Sequence, residues 1–307
     1  MKQSVGLFIP TYQAQGCLHT CLQAVLASPV DIKILIIDSS SNDETVNIAK
    51  KLGVDVIVIP QSDFNHGATR EMARKHLNTD IVIMMTQDAI PENPEFLARL
   101  IKPLQDDETI SVSYARQLPH HGADIFEAFP REFNYTAEPE ERSIQDLIKY
   151  GVFTFFCSDS CSAYKNATLD EIGGFQNVIV SEDYYAVAAM LQKGYKIAYA
   201  ADSEVRHSHR YTLKQEFQRY FDTGYVRAQN PEVQNLVGNA ENRGAGLVKA
   251  LLIRVFKEKP WLIPYAIIQS GAKWLGYRAG YHSQAIPKSW KIKLSSQKYY
   301  WVSKYYK

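Results

Sequence analysis

Several places in this 307-residue chain bring together side chains that can do chemistry. Glu182 and Asp183 stand side by side ahead of Tyr184–Leu191, at the expected start of a helix. A helix dipole keeps carboxylates ionised there, so the pair can cap the helix or take up a proton. Asp88 follows Thr86-Gln87 and offers a hard oxygen ligand; one carboxylate plus substrate phosphates can hold Mg²⁺. His207 and His209 flank Ser208, and one imidazole can complete such an oxygen shell for Mn²⁺ or Mg²⁺. On an extended segment the two rings point to opposite sides, and His207 is the one expected to face inward. Arg70 lies one turn into a helix opening at Gly67-Ala68-Thr69, where free N–H groups and a guanidinium suit an anion. The alternative is a solvated helix face, which is the reading for Arg74 and Lys75. Asn65 and His66 can read a polar ligand or shape their loop. Asp38 can accept from a pyrimidine N3–H or a ribose hydroxyl, or cap the Ser39–Asp43 turn. Cys17/Cys21 and Cys157/Cys161 read as free thiols packed as small hydrophobes rather than zinc half-sites.

Positioning these groups needs a scaffold, and the first hundred residues supply one. Val5–Ile9, Ile32–Ile37, Val54–Ile59 and Ile81–Met85 are apolar runs of strand length, with helical patterns between them. Continuous Ile- and Val-rich runs suit parallel strands buried on both faces. This order predicts a doubly wound, mostly parallel α/β sheet. Ligands of such sheets bind beyond the carboxyl ends of the strands. Pro10, Thr11 and Tyr12, Asp38, Asp63–Gly67, and Gln87 and Asp88 all fall there. Farther on, Phe126–Tyr135 reads as an aromatic-rich loop. Glu182–Leu191 reads as a helix closed by Gly194, and Lys196–Ala200 as a strand. Thr212–Gln229 reads as a helix opened by a Thr212/Gln215 capping box.

The charge is uneven. With 46% hydrophobic and 22% charged residues and a net charge of +1, the composition is that of a globular protein. From Lys259 to Lys307 there are nine Lys/Arg and no Asp or Glu, leaving about −8 on residues 1–258. All four Trp (Trp261, Trp274, Trp290, Trp301) and seven Tyr lie in the same tail. A basic, Trp- and Tyr-rich tail suits a membrane–water interface, and losing residues 288–307 is expected to abolish docking there. The acidic remainder argues against a nucleic-acid partner. No apolar run reaches 18 residues, and Met1-Lys2-Gln3 leads into a strand without a signal-peptide pattern, so a cytoplasmic, membrane-peripheral protein is expected.

FIPTYQA (Phe8–Ala14), IIDSSSNDET (Ile36–Thr45), FNHGATRE (Phe64–Glu71), MTQDA (Met85–Ala89), GGF (Gly173–Phe175) and EDYYAVAAMLQKGYKIAY (Glu182–Tyr199) follow one another in order. Together they resemble the family-2 glycosyltransferases, inverting enzymes of the GT-A fold, from about Val5 to Asn230. FNHGATRE followed by TQDA is similar to the bacterial rhamnosyltransferase branch. The resemblance implies a GT-A catalytic domain over 1–230, with a helical extension over 231–307. It implies a nucleotide-sugar donor held by Pro10, Thr11, Tyr12, Asp38, Asn65, Gly67, Arg70, Gln87 and Asp88. A divalent cation, Mg²⁺ or Mn²⁺, would sit on Asp88 and His207. Asp183 would be the catalytic base, with Glu182 orienting its loop. Gln87-Asp88 departs from the family's Asp-x-Asp or Asp-Asp pattern and keeps a single carboxylate. The reaction implied moves L-rhamnose from dTDP-L-rhamnose to a hydroxyl of a lipid-linked glycan, in O-antigen or other surface polysaccharide synthesis. The alternatives are a UDP-hexose donor and a non-catalytic nucleotide-sugar-binding subunit, with a homo-oligomer open in each case. Gln218-Arg219-Tyr220 does not reproduce the Gln-x-x-Arg-Trp motif of processive synthases, so one or a few sugars are expected per acceptor.

Overall fold

A computed structural model of the chain describes residues 3–237 and 241–306. The alternating first third forms as its apolar periodicity dictates: β1 (Val5–Thr11), α1 (Leu18–Leu26), β2 (Lys33–Asp38), α2 (Thr45–Lys51), β3 (Asp55–Val58), α3 (His66–Leu77) and β4 (Ile81–Met85). Successive strand residues point to opposite faces. In β4, Ile81, Ile83 and Met85 join one apolar core while Val82 and Met84 join the other. Both faces are therefore covered, as a doubly wound sheet requires.

The middle of the chain mixes directions. β5 (Ile90–Pro91), α4 (Phe96–Asp106), β6 (Ile110–Leu118), α5 (Ile125–Asn134), β7 (Glu140–Arg142), α6 (Leu147–Tyr150), β8 (Cys161–Lys165), α7 (Asn166–Glu171), α8 (Glu182–Gln192) and β9 (Lys196–Arg206) follow in order. The main sheet order is β3-β2-β1-β4-β8-β6-β9-β5, with β7 against β9. β8 runs antiparallel to both β4 and β6. Its beginning, not its end, therefore lies at the carboxyl edge of β4, which carries Ser158–Ser160 to the ligand-binding edge.

Phe126–Tyr135, read as a loop, is mostly the helix α5. Asp124 caps it by accepting from the N–H groups of Phe126 and Glu127. Ile125 and Phe129, one turn apart, are buried against Leu251 and Val255, so a helical face lies behind the aromatic composition. Pro130 falls within the helix.

The carboxy-terminal helices are α9 (Leu213–Gln229), α10 (Pro231–Val237), α11 (Glu241–Glu258), α12 (Ile263–Tyr281) and α13 (Lys288–Leu294). The Thr212/Gln215 capping box is present at α9. α12 packs along α9 at backbone contact: a Cβ on Gly276, Gly280 or Gly224 would lie 2.2, 1.9 or 2.1 Å from a carbonyl oxygen of the other helix. The last segment is not a free tail. Trp301 is fully buried in the main core, 4.7 Å from the Tyr225 ring, and Lys291 is buried beside both rings. Of the expected membrane-facing residues 288–307, Trp301 and Lys291 are core anchors, whereas Trp290, Tyr299 and Val302 remain exposed. Among the described residues, no helix is long and apolar enough to cross a membrane.

Candidate active site

A cleft of about 980 Å³ opens along the carboxyl edge of the sheet. Pro10, Thr11 and Tyr12, Gln87 and Asp88, Ser158–Ser160, the start of α8, and His207 all reach it. Four strand ends and a helix N-terminus thus converge, as the sheet topology requires.

Asp88, His207 and His209 place one ligand atom each within 4.8 Å of one another. Asp88 oxygens lie 3.5 Å from His207 Nε2 and 3.4 Å from His209 Nε2, and the two Nε2 atoms are 3.1 Å apart. The expectation that only one histidine faces inward is overturned. β9 ends at Arg206, so strand alternation does not govern residues 207–209. His207 is buried, and its Nδ1 lies 3.0 Å from Gln117 Oε1. The Gln117 amide is oriented by donating from Nε2 to Ser158 Oγ at 2.7 Å. Nδ1–H therefore donates to Gln117, which leaves the Nε2 lone pair for a metal. Burial, and then the Arg131 guanidinium, push the His207 pKa well below the usual imidazole range, so the ring is neutral. One carboxylate and two neutral imidazoles fit a first-row divalent cation.

Across the cleft, Ser181 in left-handed conformation (φ 68°) turns the chain into α8. Glu182 is buried and accepts from Arg70 Nε at 2.9 Å; the same nitrogen lies 2.9 Å from Asp159 Oδ2. Arg70 is only 3% exposed and clasps two carboxylates through Nε, while it also lines the cleft and its Nη1 has no hydrogen-bond partner among the described residues. The solvated reading of Arg74 is corrected: it is buried and paired with Glu71 and Asp170, each at 2.7 Å. Asp183 stays half-buried on the cleft wall, held by the N–H groups of Tyr184 (2.7 Å) and Asp159 (3.2 Å). Burial first, then the Asp159 and Glu182 carboxylates, raise its pKa well above the ordinary carboxyl range. A carboxylate so raised is suited to take a proton near neutral pH.

Other residues expected to meet the donor also hold the fold together; of these, Asn65 and Gln87 line the cleft, and Asp38 and Gly67 do not. Asp38 is fully buried and accepts from Thr11 Oγ1 (2.8 Å), Ser41 N–H (2.8 Å) and Ser41 Oγ (2.7 Å), which is the turn-capping role; Ser39 lines the cleft instead. Asn65 caps α3 through Ala68 N–H (3.1 Å) and donates to Val178 O (2.9 Å). Gly67 packs under the loop before α8, where a Cβ would lie 2.0 Å from Gln176 O. Gln87 clasps the Tyr12 backbone, accepting from its N–H at 2.9 Å and donating to its carbonyl at 3.2 Å. Sequence reasoning missed Gln117, Arg131 and Arg219 as cleft residues. Neither arginine has an ion-pair partner among the described residues; Arg131 donates to His207 O at 2.7 Å, and Arg219 lies over the Tyr211 ring at 4.1 Å. Only Gln218-Arg219-Tyr220, set against the Gln-x-x-Arg-Trp motif, drew attention to Arg219, and no signal in the sequence marked Gln117 or Arg131.

The chain belongs to glycosyltransferase family 2, whose sequence model ("Glycosyltransferase like family 2") matches residues 3–223. It is a glycosyltransferase. It is 42% identical over 304 residues to the O-antigen chain rhamnosyltransferase WbaN of Salmonella anatum, an alignment covering 97% of this chain and 96% of that one. It is 39% identical over 301 residues to RfbN of Salmonella typhimurium, also named an O-antigen chain rhamnosyltransferase, over 97% and 96% of the two chains. Among solved structures, the mannosyltransferase PcManGT of Pyrobaculum calidifontis, in complex with GDP-Man and Mn²⁺, superposes with a TM-score of 0.63 at 14% identity, over 92% of this chain and 88% of that one. That likeness establishes the GT-A fold.

Proposed function

We propose that the protein is an inverting rhamnosyltransferase of O-antigen chain synthesis, working at the inner face of the cytoplasmic membrane. It would move L-rhamnose from dTDP-L-rhamnose to a hydroxyl of a lipid-linked glycan. The observation that carries the chemistry is one cleft holding Asp183 at one wall and Asp88, His207 and His209 at another. The rhamnosyl donor and the O-antigen role rest on likeness to the two Salmonella proteins along nearly the whole chain.

In this reading Asp183 takes the acceptor hydroxyl's proton as that oxygen bonds to the anomeric carbon. The bond from that carbon to the diphosphate breaks on the opposite face, with inversion and no covalent intermediate. Glu182 and Asp159, pinned by Arg70, fix the loop that carries Asp183 and keep its proton affinity high. Arg131 and Arg219 offer uncompensated positive charge to the departing diphosphate. Asp88, His207 and His209 would hold Mn²⁺ or Mg²⁺, and two imidazoles favour Mn²⁺. Such a cation, when bound, offsets diphosphate charge.

The test is nucleotide release from dTDP-L-rhamnose and from a panel of UDP-sugars, with Mn²⁺, Mg²⁺ or EDTA and a membrane lipid extract as acceptor. Release from dTDP-L-rhamnose alone, lost in Asp183→Asn, is the expected result. Release from a UDP-sugar instead would discard the rhamnosyl donor and keep the transferase. Silence with donor still bound would make the protein a binding subunit.

A further inference from the structure

α12 presents two unlike faces. Ala266, Gln269, Gly276 and Gly280 are buried, the glycines against α9. At the complementary helical spacing, Ile267, Ile268, Trp274 and Leu275 are each 55–56% exposed. α11 repeats the pattern: Leu251 and Val255 turn into an apolar cluster, whereas Ile253 (48%) and Phe256 (69%) turn out. The turn joining the helices carries Trp261, 71% exposed. Monomeric soluble proteins rarely leave so many large apolar groups together in water.

The charges around these faces select the occupant. Lys249, Lys257, Lys259 and Arg278 are exposed on the same stretch. Its acidic neighbour Glu258 is ion-paired with Arg254, and no acid occurs from Lys259 to Tyr281. A two-fold contact with a second copy would set this cationic surface against itself. An anionic bilayer supplies the opposite charge, an apolar layer for the Ile, Leu and Phe side chains, and an interface that suits Trp.

We infer that the outer faces of α11 and α12, with the Trp261 turn, are a docking surface that lies in the plane of an anionic lipid bilayer. This deepens the proposed function, in which the acceptor is lipid-linked, and centres the membrane contact on α11 and α12. None of the surface side chains named lines the catalytic cleft.

The experiment is flotation of the full chain with vesicles of equal phosphatidylglycerol and phosphatidylcholine, or of phosphatidylcholine alone. Wild type should float with the anionic vesicles and stay behind with the neutral ones. Phe256→Ser/Trp261→Ser/Ile267→Ser/Trp274→Ser should not float, while keeping the wild-type circular dichroism spectrum and rate on a detergent-solubilised acceptor. Lys249→Gln/Lys257→Gln/Lys259→Gln should partition about a hundredfold more weakly. A wild-type protein that ignores anionic vesicles, or a serine variant that floats equally well, overturns the inference. So does a wild-type dimer in light scattering that the serine variant dissolves while neither binds vesicles; that result assigns the surface to a second copy. Flotation needs no catalysis, so a wild type that transfers but does not float fails this inference alone. A wild type that floats but transfers no rhamnose fails only the proposed function.

Discussion

Replacing Gln117 by leucine tests the metal reading without touching a ligand. Gln117 is 2% exposed, and its Oε1 is the acceptor for His207 Nδ1–H at 3.0 Å. Leucine fills a similar volume and accepts nothing, so a buried imidazole N–H loses its partner, at a cost of about 1–3 kcal/mol. The ring can relieve this by moving its proton to Nε2, the atom 3.5 Å from Asp88 that a cation would need. Loss of a hydrogen bond behind a ligating histidine lowers metal affinity about 10–100-fold, or roughly 1.4–2.8 kcal/mol. The assay is Mn²⁺ titration read by the electron paramagnetic resonance signal of free Mn²⁺, with thermal melting as the control for folding. Gln117→Glu retains an acceptor oxygen and should hold Mn²⁺ at least as tightly as wild type. An unchanged affinity in Gln117→Leu would show that Nδ1 does not govern the site, and would refute the assignment of His207 as a ligand through Nε2.

Asp183→Asn should lower kcat about 10²–10⁴-fold and leave Mn²⁺ affinity unchanged. In wild type, kcat/KM should fall on acidification at a pH above the usual carboxyl range, because the raised Asp183 pKa must be exceeded for the base to be free. Arg70→Met leaves Asp159 and Glu182 buried without their shared cation, and denaturant melts should show a loss of about 3–5 kcal/mol. Asp222, which accepts from Ser296 N–H at 2.9 Å, is raised by burial to about 6. Between pH 4 and 6 the unfolded chain ionises there first, so native stability falls with rising pH, by up to about 3 kcal/mol. Asp222→Asn should remove that part of the slope, and an unchanged slope in chemical melts would reject it.

The Ile-rich strands and the helices between them were legible because each is specified by its own apolar period, and the convergence of Thr11, Gln87 and Asp88 at one edge followed from the topology. What escaped was set by partners distant in sequence. Asp38 could cap or bind, and only the approach of Thr11 and Ser41 decides for the cap. Arg70 and Arg74 look alike on one helix, but apart from Glu71 their carboxylates come from residues 159, 182 and 170. His209 joined the cluster because the chain leaves strand geometry after Arg206, and Gln117 carried no local mark at all. α5 was hidden by an aromatic-rich composition and an internal proline.

The Gly-Gly-Phe turn has a further consequence. Glu71 Oε1 accepts from Phe175 N–H at 2.8 Å, and a Cβ on Gly174 would lie 2.4 Å from the Glu71 carboxyl. Gly67, one turn earlier on α3, lies under Gln176 of the same loop. FNHGATRE and GGF are thus two halves of one interlocking part, about a hundred residues apart in the chain. Gly174 is also held by its φ of +83° whatever stands at position 71, so the coupling should show in chimeras: those that swap one half alone should fold worse than those that swap both.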